Sequence, residues 1–88
     1  MKEIILITTE GCEGCAIMRR AIKQALSITK VDDISFKEYD FREDTLFKKM
    51  ELKDFPTVIF KSDGKILRKE VGTRPYIVVL RWIDIDFK

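Results

Sequence analysis

The fold is decided by the stretch Gly11-Cys12-Glu13-Gly14-Cys15, which contains both cysteines of the chain. It follows an apolar run over residues 4–7 and precedes a segment of helical periodicity over residues 16–28. An apolar strand that leads into a Cys-x-x-Cys at a helix start is typical of a redox-active dithiol, because a helix N-terminus stabilises a thiolate. A metal-binding Cys-x-x-Cys has the same local pattern, so the rest of the chain must distinguish the two.

The composition is that of a soluble globular domain, with 45% hydrophobic and 36% charged residues. The length of 88 residues predicts one domain, residues 1–88. Because 17 basic and 15 acidic residues give a net charge of +2, we expect neither nucleic acid nor a membrane as a partner. The chain has no histidine, which excludes Ser-His and Cys-His nucleophile pairs and histidine ligands for zinc.

The apolar runs are far shorter than the roughly 20 residues of a membrane span. The pattern of a secretory leader is also missing, which favours the cytoplasm. In a reducing compartment, two neighbouring cysteines are more often catalytic or metal-binding than a structural disulfide.

The apolar pattern predicts the order β-α-β-α-β-β-α. The predicted strands cover residues 3–9, 34–41, 57–60 and 66–71, and the first two helices cover residues 13–28 and 42–52. Asp63-Gly64 predicts a hairpin between the last two strands. Thr73 is expected to cap the last helix, with Pro75 near its first position. A right-handed β-α-β crossover followed by a hairpin gives a four-stranded mixed sheet flanked by helices.

Helical spacing also predicts which side chains are buried. The last helix should bury Trp82, and Met18 and Met50 should fill the core rather than bind a metal. The first helix should direct the following apolar residues inward: Ala16, Ile17, Ile22, Ala25 and Leu26.

This order, with Cys-x-x-Cys at the first helix and a proline opening the third strand, resembles the thioredoxin fold. The resemblance covers nearly the whole chain, and the lack of an extra N-terminal strand and helix makes it similar to the shorter glutaredoxin core. It implies an α/β thioredoxin-like domain and a thiol-disulfide oxidoreductase that transfers electrons in redox homeostasis. The segments that carry it are Gly11 to Cys15, Tyr39-Asp40, Phe55-Pro56-Thr57, Asp63-Gly64-Lys65 and Val71-Gly72.

The resemblance implies that Cys12 is the nucleophile and Cys15 the resolving cysteine. Gly11, Glu13 and Gly14 take the positions that modulate the loop. The acidic Glu13, together with Glu10, should make the thiolate less favourable than in strongly oxidising relatives. No cofactor is expected besides the redox-active Cys12–Cys15 disulfide, and no metal.

Pro56 matches the cis-proline of the family, so we expect a cis Phe55–Pro56 bond. The backbone of Phe55 would pair with an extended substrate segment, and Gly72 would leave room for it. Glutaredoxins have a Gly-Gly and an acidic residue where this chain has Gly72-Thr73-Arg74, so a glutaredoxin-type glutathione site is not expected. The full set of predicted substrate-binding residues is Phe55, Pro56, Thr57, Gly72, Thr73 and Arg74.

Leu6 falls where thioredoxins have a buried carboxylate, so no dedicated base for Cys15 is expected. The implied partners are a disulfide-containing protein or small molecule as substrate, and a reductase or a low-molecular-weight thiol as electron donor. The domain is expected to act as a monomer.

Two other functions stay open. A Cu(I) or Zn(II) module can also place Cys-x-x-Cys before a helix, although its order would be β-α-β-β-α-β and zinc would need a dimer to complete four ligands. A non-catalytic thioredoxin-fold binding protein is the second alternative, because the Glu13-Gly14 pair is unusual between the cysteines.

Overall fold

The computed structural model describes residues 1–43, 49 and 52–88, which form four strands and two helices. The helix predicted over residues 42–52 falls largely outside these residues. The bounds are β1 Lys2–Thr8, α1 Glu13–Ile28, β2 Ile34–Asp40, β3 Thr57–Ser62, β4 Lys65–Val71 and α2 Tyr76–Asp86.

The strands form one four-stranded mixed sheet, as predicted, and their order in it is β2-β1-β3-β4. Strand β1 pairs in parallel with β2 and antiparallel with β3, so Ile4 lies between Phe36 and Phe60. Strand β4 pairs antiparallel with β3 and forms an edge of the sheet. All of residues 4–7 are buried, because the central strand is covered on both faces.

The two faces of the sheet carry different apolar clusters. Both described helices pack on one face, where α1 and α2 share a core with Ile4 and Leu6. Trp82 and Met18 lie in this core, which confirms their predicted burial, whereas Met50 lies outside the described residues. The opposite face carries Ile5, Ile7, Ile59 and Leu52, with Tyr39, Phe41 and Phe55 packed against them.

The hairpin between β3 and β4 forms where Asp63-Gly64 predicts it. Both residues have positive φ angles, 52° and 81°, as a two-residue turn of type I′ requires. The N-terminal ammonium group of Met1 bonds to the Asp63 carboxylate, and this hydrogen bond holds the pKa of Asp63 below its usual value.

The predicted N-terminus of the last helix is wrong. Thr73 does not cap α2; the N-cap is Pro75, with extended backbone (φ −67°, ψ 158°) and no side-chain hydrogen bond. The cause is the proline itself, which disfavours helical backbone at the preceding residue, Arg74. The helix therefore begins only at Tyr76.

The predicted inward face of α1 is also partly wrong. Ala16 and Ile17 are exposed, and Ile17 keeps 51% of its surface. The buried stripe follows positions spaced by three and four residues, and it begins one residue earlier, at Cys15. Its members are Cys15, Met18, Ala21, Ile22 and Ala25.

An ion-pair cluster fastens the edge strand to the end of α2. Arg68 on β4 donates to Asp86 at 2.7 Å and to Glu70 at 2.8 Å, and its guanidinium lies 5.2 Å from the ring centroid of Trp82. Its hydrogen bond with Asp86 is the largest cause of a raised pKa at Arg68. In the part of the chain described here, no helix is long and apolar enough to cross a membrane.

Candidate functional site

The two cysteines lie at the N-terminus of α1. Cys12 is the N-cap residue, Cys15 is in the first turn, and the two form a disulfide with Cα atoms 5.4 Å apart. Cys12 is half-buried, whereas Cys15 keeps only 3% of its surface exposed. A substrate sulfur can therefore reach Cys12 and not Cys15.

The helix start supplies a hydrogen-bond donor to the exposed sulfur. The backbone N–H of Cys15 donates to the Cys12 sulfur at 3.1 Å. The same N–H also donates to the Cys12 carbonyl at 3.3 Å, a shared hydrogen bond that is common at helix termini. The same donor, with the positive end of the helix dipole, favours negative charge on Cys12 once the disulfide is reduced.

The connection from β1 to α1 contains a glycine with a positive φ angle, and hydrogen bonds join its start to the end of β2. Gly11 has φ +73°, a conformation in which a side chain is strained. Just before it, the carbonyl of Thr8 accepts a hydrogen bond from the N–H of Phe41 at 2.8 Å. The hydroxyl of Thr8 also donates to the carbonyl of Tyr39 at 3.3 Å.

The Phe55–Pro56 peptide bond is cis, which confirms the sequence prediction. Thr57 is fully buried, and its hydroxyl donates to the carbonyl of Asp54 at 2.9 Å. The carbonyl of Pro56 accepts the N–H of Gly72 at 2.9 Å, so the proline loop is tied to the end of β4.

Three segments that are distant in sequence meet at Gly14. A Cβ atom at this position would lie 3.0 Å from Thr73 Cγ2 and 3.2 Å from Pro56 Cδ. The turn between the cysteines therefore packs directly on the proline loop and on the residue after Gly72. Sequence reasoning placed Gly14 only among the residues that modulate the loop and missed this close approach.

The side chain and the backbone of Phe55 lie in different environments. Its ring packs on Phe41, with centroids 5.2 Å apart, on the face of the sheet opposite the helices. Within residues 1–43, 49 and 52–88, its backbone N–H and carbonyl make no backbone hydrogen bond. These two groups are available to pair with an added strand, as the predicted role of Phe55 requires.

Arg74 folds back beside Gly72 rather than toward the cysteines. Its Nη1 donates to the carbonyls of Val71 and Thr73 at 3.3 and 2.9 Å, and its guanidinium carbon lies 6.0 Å from the ring centroid of Trp82. Gly72 itself has φ +93°, and a Cβ atom there would lie 3.4 Å from Arg74 Nη1, so the guanidinium occupies the space beside it. Substrate binding by Arg74 remains a prediction.

A cleft of about 500 Å³ borders both cysteines on another side of α1. Sequence reasoning missed Arg19 as part of this site, although it lies one helical turn after Cys15, on the same side of the helix. The residues that line the cleft are Thr8, Thr9, Gly11, Cys12, Glu13, Cys15, Ala16 and Arg19.

The charge of Glu10 is not isolated beside the cysteines. Arg42 Nη1 binds its carboxylate at 2.6 Å, and the same guanidinium binds Asp40 at 3.0 Å. The hydrogen bond with Arg42 is the main cause of a lowered pKa at Asp40. The penalty expected from Glu10 on a Cys12 thiolate is thus partly offset by Arg42.

Leu6 is fully buried in the core shared with α1, as expected for an apolar side chain at this position. Over the described ranges, no group of three or more His, Cys, Asp or Glu residues is arranged to hold a metal ion.

Comparison with known proteins gives matches in structure and none in sequence. No family model and no curated protein sequence matches the chain. A solved structure of a malarial protein is 13% identical and superposes with a TM-score of 0.83, covering 100% of this chain and 99% of that one.

Two thioredoxins of known structure superpose on this chain with TM-scores close to that of the malarial protein. A mutant thioredoxin from Halobacterium salinarum is 16% identical with a TM-score of 0.83, covering 99% of this chain and 75% of that one. The thioredoxin of Malassezia sympodialis is 20% identical with a TM-score of 0.79, covering 97% and 74%. At these identities, the matches establish the fold.

Proposed function

We propose that this chain, which has a thioredoxin-like fold, is a small thiol-disulfide oxidoreductase that reduces or exchanges disulfides through a mixed-disulfide intermediate. One observation carries the proposal: an accessible Cys12 at the N-terminus of α1 forms a disulfide with a buried Cys15 beside the cis-proline loop. The fold similarity supports the same class of chemistry.

In the proposed reaction, the thiolate of Cys12 attacks one sulfur of a substrate disulfide and displaces the other as a thiolate. Cys15 then attacks the Cys12 sulfur, releases the second substrate thiol and closes the Cys12–Cys15 disulfide. The N–H of Cys15 stabilises the Cys12 thiolate before attack. With apolar Leu6 below the site, the proton of Cys15 leaves through the cleft that Cys15 borders.

A polypeptide substrate would dock on the side of Pro56. The N–H and carbonyl of Phe55, which make no backbone hydrogen bond with the described residues, would pair with an extended segment that passes Gly72. Thr73 and Gly14, which lie against each other, would line the docking surface beside the sulfurs. Thr57 would hold the loop through its bond to Asp54, and Arg74 would lie at the rim.

We further propose that the domain acts as a monomer in the cytoplasm, with no cofactor beyond its disulfide. Its partners would be a disulfide-containing protein or small molecule and, as electron donor, a reductase or a low-molecular-weight thiol. Neither nucleic acid nor a membrane is proposed as a partner, since the charges are nearly balanced.

The test is catalysed reduction of insulin disulfides by dithiothreitol. The wild-type domain should accelerate the reaction, and the Cys12→Ser variant should not, while an exposed variant far from the site, Lys65→Gln, should match the wild type. Equal rates for wild type and Cys12→Ser would overturn the proposal. Stoichiometric Cu(I) or Zn(II) binding by an inactive dithiol would then favour the metal module, and its absence the binding protein.

The direction of electron flow follows from the reduction potential of the Cys12–Cys15 pair, measured in glutathione buffers. A value near about −270 mV indicates a reductant, and one near about −120 mV indicates an oxidant.

A further inference from the structure

The cleft beside the cysteines and the Pro56 surface lie on different sides of α1. Successive helical residues are turned by about 100°. Gly14, which contacts Pro56 and Thr73, is therefore turned by about 100° to one side of Cys15, and Ala16, which lines the cleft, by about 100° to the other. The dithiol can thus be approached from two directions.

The cleft is large enough for a small molecule. Its volume of about 500 Å³ lies within the range of small-molecule sites, about 300–1,000 Å³. Small side chains leave it open, namely those of Thr8, Thr9, Gly11 and Ala16, and the two threonines supply hydroxyl groups. Because the accessible Cys12 lines it, a ligand there can contact the attacking sulfur.

The cleft carries one charge of each sign. Arg19 is oriented by a hydrogen bond from its Nε to Glu38 on β2 at 2.5 Å, and its guanidinium makes no other hydrogen bond or ion pair with the described residues. A helical side chain leans toward the helix N-terminus, so Arg19 extends over the turn of Cys15. Its remaining N–H groups have the geometry for a carboxylate.

Glu13 is the opposite charge. It is exposed and forms no ion pair in the described part of the chain. It precedes Arg19 by six residues, which is about 9 Å along the helix axis at 1.5 Å per residue. Cys12, the accessible cysteine, lines the same cleft, so a ligand held by both charges places its disulfide near the Cys12 sulfur.

We propose that this cleft binds a low-molecular-weight disulfide or thiol that carries both ammonium and carboxylate groups, with the carboxylate on Arg19 and the ammonium on Glu13. A disulfide with an amino-acid group at each end has both charges and a central S–S bond. The proposal rests on the proposed function and deepens it, since it assigns small substrates to the cleft and polypeptides to the Pro56 side.

The chemistry balances without a further reactant. The Cys12 thiolate attacks the ligand disulfide, the Cys12–S bond forms, and one half of the ligand leaves as a thiolate that takes a proton from water. Cys15 loses its proton to water in the cleft and attacks Cys12, and the second half leaves. The dithiol gives two electrons to the ligand, and the reverse sequence recharges it.

The test compares oxidation of the reduced domain by cystine, by cystine dimethyl ester and by 2-hydroxyethyl disulfide. For each probe, the readout is the ratio of wild-type to variant rate constants, which cancels the intrinsic reactivity of the probe. Arg19→Gln should slow cystine by about two- to five-fold, the range of one solvent-exposed ion pair, and slow the ester and the neutral disulfide less. The matched control is Arg20→Gln, since Arg20 is exposed and does not line the cleft.

Two more measurements distinguish binding in the cleft from docking on the Pro56 side of α1. Glu13→Gln should slow cystamine, which has two ammonium groups and no carboxylate, more than it slows 3,3′-dithiodipropionate, which has carboxylates and no ammonium group. Arg19→Gln should lower insulin reduction less than it lowers the reaction with cystine, whereas Arg20→Gln should leave both rates at the wild-type values. The proposal is overturned if Arg19→Gln slows all probes equally, if Arg20→Gln has the same effect, or if insulin reduction falls in proportion.

Failure of this proposal is distinguishable from failure of the proposed function. A wild-type dithiol that reduces insulin and 2-hydroxyethyl disulfide, but whose reaction with cystine does not depend on Arg19, contradicts only the cleft assignment. A wild-type dithiol that reduces none of the probes contradicts both.

Discussion

Gly14 and Thr73 touch across the site: a Cβ atom on Gly14 would lie 3.0 Å from Thr73 Cγ2. This contact joins the helix of the cysteines to the segment after β4. It also explains why a residue without a side chain stands between the cysteines of this chain, since Pro56 Cδ closes the same space at 3.2 Å.

The first prediction concerns this contact. Gly14→Ala should lower the free energy of unfolding by about 1–2 kcal/mol, because the new methyl group overpacks against the buried Pro56 and the exposed Thr73. Combining it with Thr73→Ser, which removes Cγ2, should recover part of the loss. Chemical unfolding of the oxidised proteins measures both. A stabilisation by Gly14→Ala, as helix propensity alone predicts, would contradict the contact.

The second prediction concerns Arg68. Its partner Asp86 keeps only 9% of its side chain exposed, so Arg68→Met leaves a largely buried carboxylate without its cation. The variant should lose about 2 kcal/mol of stability. The neighbouring exposed Lys69, changed to Met, is the matched control and should lose less than about 0.5 kcal/mol. Equal losses in thermal or chemical unfolding would show that the cluster does not stabilise the fold.

The third prediction is an acid titration. Arg42 lowers the pKa of Asp40 from 3.8 through its hydrogen bond, so ionised Asp40 favours the folded state. The stabilisation is present above the unfolded value and is lost as the pH falls through the lower, folded value. Carboxyl NMR should show a lower midpoint for Asp40 in the wild type than in Arg42→Met. The same midpoint in both proteins would exclude the interaction.

The fourth prediction links Arg42 to the dithiol. Arg42→Met leaves Glu10 unpaired two residues before Cys12, so alkylation of reduced Cys12 near neutral pH should slow by about two-fold at low salt. Glu10→Gln in the same background should restore the rate, and high salt should remove the difference. A slower rate that Glu10→Gln does not restore would indicate a structural effect of Arg42 instead of a charge effect.

The elements that position the cysteines could be predicted from local patterns. The apolar run over residues 4–7 indicated a central strand, the Asp63-Gly64 pair indicated the hairpin, and α1 has the predicted bounds, Glu13–Ile28. Each of these features depends on residues that are close together in the sequence. The cis bond before Pro56 followed from a resemblance rather than from local physics.

The features that local sequence patterns did not predict depend on tertiary contacts or on steric restrictions of the backbone. The role of Gly14 depends on Thr73 and Pro56, which no local pattern connects to it. The sequence predicts too early a start for α2. Thr73 is a favourable N-cap residue, but Pro75 disfavours helical backbone at Arg74. The position of Arg19 in the cleft could have been found from its spacing to Cys15.

The central claim is that Cys12 attacks and Cys15 resolves, and trapping measures it most directly. Reduced Cys15→Ser and Cys12→Ser variants are each mixed with the same disulfide, and intact-mass spectrometry follows the adduct. The account predicts a rapid, persistent mixed disulfide on Cys12 in the first variant and little reaction at buried Cys15 in the second. Faster adduct formation on Cys15, or equal rates in both variants, would contradict it.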